Sequence, residues 1–139
     1  MDSNSKRSIP LFENYCKQNT VDNKIIDCNL GNCPMKLKIA STPETQLKGY
    51  QNEKEPSDNE GILFVYPSEI PKVSFWMKNV NFPLDILFFN SNKELVESMT
   101  MPKDSYPQVF TCKYPAQYVI ETKAGWYDKH GNKDIKLSI

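Results

Sequence analysis

Two adjacent segments in the middle of the chain constrain its fold most: residues 74–79, which read SFWMKN, and residues 82–89, which read FPLDILFF. If the first is a strand, its side chains alternate between two faces, so Trp76 and Lys78 share one face. The second segment is apolar on both faces and carries a single acid, Asp85. A carboxylate in such a strand needs a partner. We therefore expect both segments to be strands at the centre of a domain.

Short apolar runs of the same kind recur along the chain. Residues 74–79, 82–89 and 94–101 are predicted to form three consecutive strands of a meander. Residues 102–115 contain three prolines and are expected to form a long irregular loop. The other predicted strands cover residues 35–39, 62–66, 117–121 and 135–139.

Two short helices complete the predicted domain. The first covers residues 42–49, where Ser41 or Thr42 caps the N-terminus and Gly49 suits the C-terminal end. The second covers residues 124–130 and stops before a glycine. Together these elements predict a mainly β fold, compact and antiparallel, built as a partly open barrel or a sandwich with two short helices.

Residues 1–33 show no clean hydrophobic period and are predicted to be an irregular N-terminal arm, followed by a single β-rich domain at residues 34–139. The arm has more apolar residues than a solvated linker usually carries. We expect it to dock on a protein partner, either another copy of the chain or a larger assembly such as a virus particle. The alternative is that it folds back on its own domain as an edge strand.

The charge balance limits the classes of partner. Basic and acidic residues each number 17, so the net charge is zero, which argues against a nucleic-acid binder that depends on counterion release. No apolar window is long enough to cross a bilayer, and the N-terminus lacks the apolar region of a signal peptide. We expect a soluble protein without a membrane or nucleic-acid partner, in the cytoplasm or within a larger particle.

The words SFWMKN and PLDI follow a glycine and an apolar run at residues 61–65. In this order they resemble the domain-of-unknown-function family numbered one hundred and ninety-two, from about Met35 to the C-terminus. The resemblance implies a small, mostly β domain, known largely from bacteria and archaea, often exported, with no agreed activity.

The chain departs from the family pattern in two places. After Gly49 the family usually reads apolar, Met, any residue, Arg, whereas this chain has Glu53 at the position of the arginine. A Gly-Asp turn usual before the last family strand is replaced by residues 132–134, which lack the glycine. A family site that relied on the arginine would therefore be altered here.

Cysteines occur at positions 16, 28, 33 and 112. The spacing of Cys28 and Cys33 suits either a disulfide or two zinc ligands, but a zinc site needs two more ligands, and the remaining cysteines with His130 form a loose set. Free thiols are the favoured interpretation. We predict neither a metal nor another cofactor.

The sequence favours binding over catalysis. His130 is the only histidine, and its position at the end of a helix suits the helix dipole. The contexts of Cys112 and His130 lack the glycine-framed signatures of nucleophilic sites. Glycoside hydrolysis needs two carboxylates, and Asp85 is the only acid flanked by enough apolar residues to suggest a shifted pKa.

Candidate ligand-binding residues surround the central segments, because tryptophan and tyrosine can serve as stacking platforms for sugars or other flat ligands. Two alternatives stay open: Trp76 could be a core residue, and Asp85 could accept N–H groups from the turn at residues 80–82. The candidate residues are Trp76, Lys78, Asn79, Asp85, Tyr106 and Tyr114.

Three classes of function follow from these observations. The first is a non-enzymatic binding module for a saccharide or another small polar ligand. The second is a structural or accessory subunit that docks through its N-terminal arm. The third is a hydrolase of unknown substrate.

Overall fold

The computed structural model describes residues 21–131 and 134–139. The chain folds into a mainly β domain with two short helices, as predicted. The helices are α1 (Pro43–Lys48) and α2 (Trp126–His130). The strands are β1 (Ile25–Leu30), β2 (Cys33–Ala40), β3 (Glu60–Ile70), β4 (Ser74–Trp76), β5 (Leu84–Phe89), β6 (Leu95–Met101), β7 (Val109–Thr111), β8 (Ala116–Lys123) and β9 (Leu137–Ser138).

Seven strands form one curled sheet in the order β6-β5-β8-β3-β2-β1-β9. Neighbouring strands are antiparallel except β2 and β3, which run parallel because α1 and the loop after it carry the chain back across the sheet. A bridge between Glu94 and Lys136 joins the two ends of this order, with the Leu95 N–H 3.3 Å from the carbonyl oxygen of Ile135. The sheet therefore takes the barrel-like form of the two predicted alternatives.

The inner face of the curl is apolar and fully buried. Leu30 and Leu137, from one end of the strand order, share a cluster with Phe89 from near the other end, which is geometrically reasonable only on a concave face. Trp126 of α2 joins this cluster and is 1% exposed. Burial of this inner cluster away from water stabilises the curled sheet, because the cluster joins residues from both ends of the strand order.

The outer face is covered by a small second sheet, in which β4 pairs with β7. Phe75 of β4 packs edge-to-face on Phe64 and Phe88 of the main sheet, with ring centroids 4.9 and 6.0 Å apart. Such ring pairs add to the stabilisation from apolar burial. Both faces of the main sheet are thus packed, which explains why β5 is buried along its whole length.

The predicted meander is wrong in its first strand. Both edges of β5 are occupied, by β6 and by β8, so β4 has no free edge to join and packs over the face instead. β4 also ends at Trp76, because the chain turns at Asn79, whose φ is 56°. Its partner β7 comes from residues 102–115, which were predicted to be irregular.

The last part of the predicted N-terminal arm, residues 1–33, belongs to the sheet. Residues 25–30 form β1, antiparallel to β2, and Ile26, Cys28 and Leu30 alternate into the inner cluster. Residues 1–20 of the arm lie outside the described residues, so docking through them stays a prediction.

Candidate functional site

A cavity of about 410 Å³ opens on the outer face of the main sheet, between α1, β3, β8 and the small β4–β7 sheet. This volume falls within the usual range of small-molecule sites. Most of the lining is apolar. The lining residues are Pro43, Gln46, Leu47, Lys48, Gly49, Tyr50, Gln51, Phe64, Tyr66, Ser74, Phe75, Trp76, Val80, Val109 and Glu121.

Helix α1 forms one wall, and its sequence fixes it in place. Thr42 caps the N-terminus, where its hydroxyl accepts the Thr45 N–H at 3.2 Å, and Thr45 bonds back to the Thr42 N–H. Gln46 then donates from Nε2 to the carbonyl oxygens of Ala40 and Val65, at 3.2 and 2.9 Å. The amide of Gln46 therefore ties the helix to two strands of the sheet.

Glu121 lies on the floor of the cavity. It is 3% exposed, and its Oε1 is fully buried without a hydrogen-bond partner among the described residues. It projects from β8 beside Gly49, where a Cβ atom would lie 3.5 Å from this oxygen. Burial raises the pKa of Glu121 to about 8. At neutral pH the carboxyl group on the floor of the cavity is therefore mainly protonated.

Two tyrosines accompany this acid. Burial raises the pKa of both Tyr50 and Tyr66, and the negative charge that Glu121 can carry adds to the effect on each. Tyr50 follows α1 and packs edge-to-face on Phe82, with 6.0 Å between the ring centroids. Because phenols donate and accept hydrogen bonds, these two tyrosines add hydrogen-bonding capacity to the polar part of the lining.

Exposed aromatic and apolar side chains form the mouth of the cavity. Trp76 is 38% exposed, and the ring of Tyr106 meets it edge-on at 5.3 Å between centroids. The Nζ atom of Lys78 lies 5.7 Å from the centre of the Trp76 ring, a cation–π distance. Leu47 and Val109 are also exposed at this opening. The structure therefore brings Trp76, Lys78 and Tyr106 together, as a group beside the cavity.

Two other predicted residues lie at different distances from this group. Asn79 turns the chain after β4, and its side-chain amide donates to Oε1 of Gln51, a lining residue, at 3.3 Å. It therefore supports the rim. Tyr114 is 52% exposed in the segment between β7 and β8 and is not part of the cavity lining.

The structure places Asp85 on the opposite, inner face of the sheet, with Leu87 and Phe89, so it does not reach the cavity. Its carboxylate accepts the Thr100 hydroxyl at 2.8 Å and the Tyr127 backbone N–H at 2.9 Å. The predicted bonds to the turn at residues 80–82 are replaced by these two. Both carboxylate oxygens are satisfied, and Asp85 connects β5 to β6 and to the start of α2.

Glu121 was missed by the sequence reasoning, although a signal exists. In the strand at residues 117–121, Val119 and Glu121 fall on the same face, so an acid occupies an apolar position of the alternating pattern. Glu53, at the position of the usual family arginine, pairs with Lys48 at the rim. The substitution thus exchanges a positive charge near the opening for an acid held by a neighbouring lysine.

The predicted histidine and cysteines lie elsewhere. His130 bonds to the Asp58 carboxylate at 2.8 Å and lies against the Trp126 ring, whereas Cys112 belongs to the buried outer cluster, where burial raises its pKa to about 11. Cys28, Cys33 and Cys112 are free thiols. Within residues 21–131 and 134–139, no three His, Cys, Asp or Glu side chains are grouped as a metal site requires. No helix in the described part of the chain is long and apolar enough to span a membrane.

Solved structures of related shape support the fold. A protein from Sinorhizobium meliloti 1021, described as a "putative transcription regulator", superimposes with a TM-score of 0.78 at 22% identity, covering 85% of this chain and 95% of its own. A protein of unknown function from Novosphingobium aromaticivorans DSM 12444 gives a TM-score of 0.72 at 21% identity, covering 83% and 85%. At these identities the likeness concerns the fold alone.

No curated protein matches the sequence. The sequence profile of DUF192, whose description is "Uncharacterized ACR", matches residues 26–136, which is well over half of the chain. The match begins within β1, ends just before β9, and includes Trp76, Lys78 and Glu121. The chain therefore belongs to the DUF192 family.

Proposed function

We propose that this protein is a non-enzymatic binding module that holds a small ligand with an apolar body in the cavity above Glu121. The observation that carries the proposal is the unpartnered Oε1 of Glu121, because a fully buried polar atom without a hydrogen bond is costly and rare in folded proteins. A polar group of a ligand that enters the cavity would remove this cost. The apolar walls would bury the rest of the ligand.

The lining favours an apolar ligand body over a saccharide, the ligand class suggested by the sequence. A sugar ring presents many hydroxyl groups, and each needs a hydrogen-bond partner once it is buried. The deep walls are formed by Phe64, Phe75 and Val80, which offer none. An exposed tryptophan such as Trp76 suits either class, so the preference for an apolar ligand over a saccharide rests on these buried apolar walls.

The set of ionisable groups supports binding over hydrolysis. Glu121 is the only carboxylate among the residues that line the cavity, and the other buried acid, Asp85, is on the opposite face. Hydrolysis by a pair of carboxylates requires two acids flanking one bond. Ser74 lines the cavity, but its hydroxyl bonds to that of Thr111 at 2.8 Å. A single acid at the end of an apolar cavity suits recognition.

The experiment uses two exposed valines as a matched pair. Val109 lines the mouth and is 52% exposed, whereas Val21 is 51% exposed and lies outside the lining. With 1-hexanol as the probe, isothermal titration calorimetry should show saturable binding to the full chain. Val109→Asp should weaken it by about tenfold or more, because the new carboxylate must lose water when the probe binds. Val21→Asp should change it by less than about twofold.

Three results would overturn the proposal. One is the absence of saturable binding of 1-hexanol to the wild-type chain. Another is equal weakening by both aspartate variants, which would separate binding from the cavity. The third is preferential binding of methyl glucoside over 1-hexanol, which would contradict the apolar ligand body.

A further inference from the structure

We propose that the ligand of this cavity is an organic amine, an apolar body with one ammonium group that pairs with the Glu121 carboxylate and displaces its proton. The inference rests on the proposed function and adds the chemical class of the ligand. It follows from the position of the acid, the charges around it and the ion pair that already engages Lys48, the one cation in the lining described above.

The position of Glu121 sets what the ligand must provide. The residue is 97% buried, Oε1 has no partner, and the side chain lines the cavity beside Gly49 and Phe64. An ammonium group offers three donors and no acceptor, so it can bond to the carboxylate and still donate to a phenolic oxygen. Tyr50 and Tyr66 supply such oxygens in the same cavity.

The charges around the cavity favour a cation. Burial raises the pKa of Tyr50, and the carboxylates of Glu121, Glu60 and Glu53 raise it further, so the potential that acts on this hydroxyl is negative where those acids are ionised. Lys48 is the only cation in the lining, and Glu53 already holds it in an ion pair. A ligand anion would meet this potential without a free partner, whereas an ammonium group complements it.

The protonated state of Glu121 determines how many protons the binding step releases. Because its pKa is about 8 in the empty cavity, about nine in ten molecules carry the proton at pH 7. The ammonium favours the carboxylate form, so the O–H bond of Glu121 breaks, the proton passes to the buffer, and a charge-assisted hydrogen bond forms. The amine itself stays protonated. Binding at pH 7 should therefore release about 0.9 proton per ligand.

The other groups around Glu121 do not titrate in the same range. The pKa of both neighbouring tyrosines is raised, the pKa of Glu53 is lowered by Lys48, and that of Glu60 is lowered by its bonds to Ser57. From β4 and β5 the side chains near the cavity are apolar or carry a hydroxyl group. Proton release between pH 6 and 8 would thus report on Glu121.

The probes are hexylammonium, 1-hexanol and hexanoate, which share one body and differ in the head group. Calorimetry at pH 7 in phosphate and in Tris, which differ in ionisation enthalpy, measures the number of protons released. Hexylammonium should bind at least about tenfold more tightly than 1-hexanol, because bonds to charged groups are the stronger ones. Its affinity should rise about tenfold from pH 6 to pH 7, while that of 1-hexanol stays constant.

Glu121→Gln supplies the mutational test, since glutamine keeps the size of the side chain but does not ionise. The ratio of hexylammonium to 1-hexanol affinity should fall to about one, and proton release should vanish. Glu44→Gln makes the same chemical change at an exposed position of α1 and should keep the wild-type ratio. Circular dichroism of each variant confirms that it is folded.

The outcomes separate the two proposals. If 1-hexanol binds at the cavity but hexylammonium binds no better, or keeps its advantage in Glu121→Gln, the amine inference is wrong and the binding function stands. If hexanoate binds best, the inferred charge of the ligand is wrong. If no probe of the series binds, the proposed function itself fails.

Discussion

Replacing Glu121 by glutamine should remove a pH dependence of stability that the wild-type chain shows between about pH 4.5 and pH 8. The folded pKa is about 8, whereas the ordinary value that applies to the unfolded chain is 4.5. Between these values the folded state binds more protons than the unfolded state, so the free energy of unfolding falls as the pH rises. The stabilising contribution is complete below pH 4.5 and is lost by about pH 8.

The size of the effect follows from the shift in pKa. Each pKa unit corresponds to about 1.4 kcal/mol, so the whole change amounts to at most about 5 kcal/mol, of which about 3 kcal/mol is lost by pH 7. This is a large share of the stability of a domain of this size. Glutamine at position 121 does not titrate. The variant should therefore become more stable than the wild type as the pH rises, and differ least from it near pH 4.5.

Other titrating carboxyl groups act outside this window. Hydrogen bonds or nearby lysines lower the pKa of several acids, so these groups lose their contribution below pH 4.5 and not above it. These acids are Asp22, Glu53, Asp58, Glu60 and Glu69. Among the carboxyl groups of the described residues with a shifted pKa, the window from pH 5 to pH 8 thus reports on the buried acid of the cavity.

Urea unfolding at pH 5, 6, 7 and 8 measures the effect, with the fluorescence of the buried Trp126 as the signal. The difference in free energy of unfolding between Glu121→Gln and the wild type should grow steadily with pH. Glu44→Gln should follow the wild type at every pH. Parallel curves for wild type and Glu121→Gln would refute the reasoning, because Glu121 would then titrate as an ordinary exposed acid.

Three further perturbations test the rest of the structure. In urea melts, Trp76→Ala should lower the free energy of unfolding by about 1–2 kcal/mol and weaken ligand binding, whereas Trp126→Ala, in the inner cluster, should lower it by about 3–5 kcal/mol. Equal losses of stability would contradict a partly exposed Trp76. Asp85→Ala should cost about 3 kcal/mol, because two donors lose their acceptor, yet leave probe affinity unchanged in calorimetry; lost affinity would show that the two faces are coupled. Deleting residues 1–20 should leave the melting temperature unchanged and abolish self-association or assembly on a sizing column. Deleting residues 1–30 should also destabilise the domain, because it removes β1. Unchanged assembly after the shorter deletion would refute the docking arm.

The fold class could be predicted because local patterns suffice for it. Continuous and alternating apolar runs identified β2, β3, β5, β6 and β8, and capping chemistry at Thr42 and Gly49 identified α1. β1 could also have been found from the alternation of Ile26, Cys28 and Leu30. This alternation covers only six residues, and the polar and charged residues around it led to the prediction of an irregular arm.

Strand order could not be predicted, because it depends on which edges are free. Residues 74–79 look like a strand beside residues 82–89, and sequential strands often pair. In the structure β8, more than 25 residues further along the chain, takes the edge that β4 would need. The strand order is decided by competition between distant segments for the free edges, and no local sequence pattern predicts the outcome. The same holds for β7, a three-residue strand among prolines.

The two buried acids show why the site itself was harder to predict than the fold. Asp85 attracts attention in the sequence because apolar residues flank it, and Glu121 occupies an equally apolar position of β8. Both are 3% exposed. What distinguishes them is the donors they meet: Asp85 receives a hydroxyl and a backbone N–H from residues 15 and 42 positions away, whereas Oε1 of Glu121 receives none.

Burial alone is therefore weak evidence for a functional acid, since a buried carboxylate with two donors stabilises the fold and needs nothing more. A buried acid without a donor raises the free energy of the folded state at any pH where it ionises. A ligand that donates a hydrogen bond to Glu121 would reduce this cost, and the cavity beside Glu121 has the volume of a small-molecule site. The alternation of strand side chains places Asp85 and Glu121 on opposite faces of paired strands, so one sheet separates an acid that holds the fold together from one that lines the cavity.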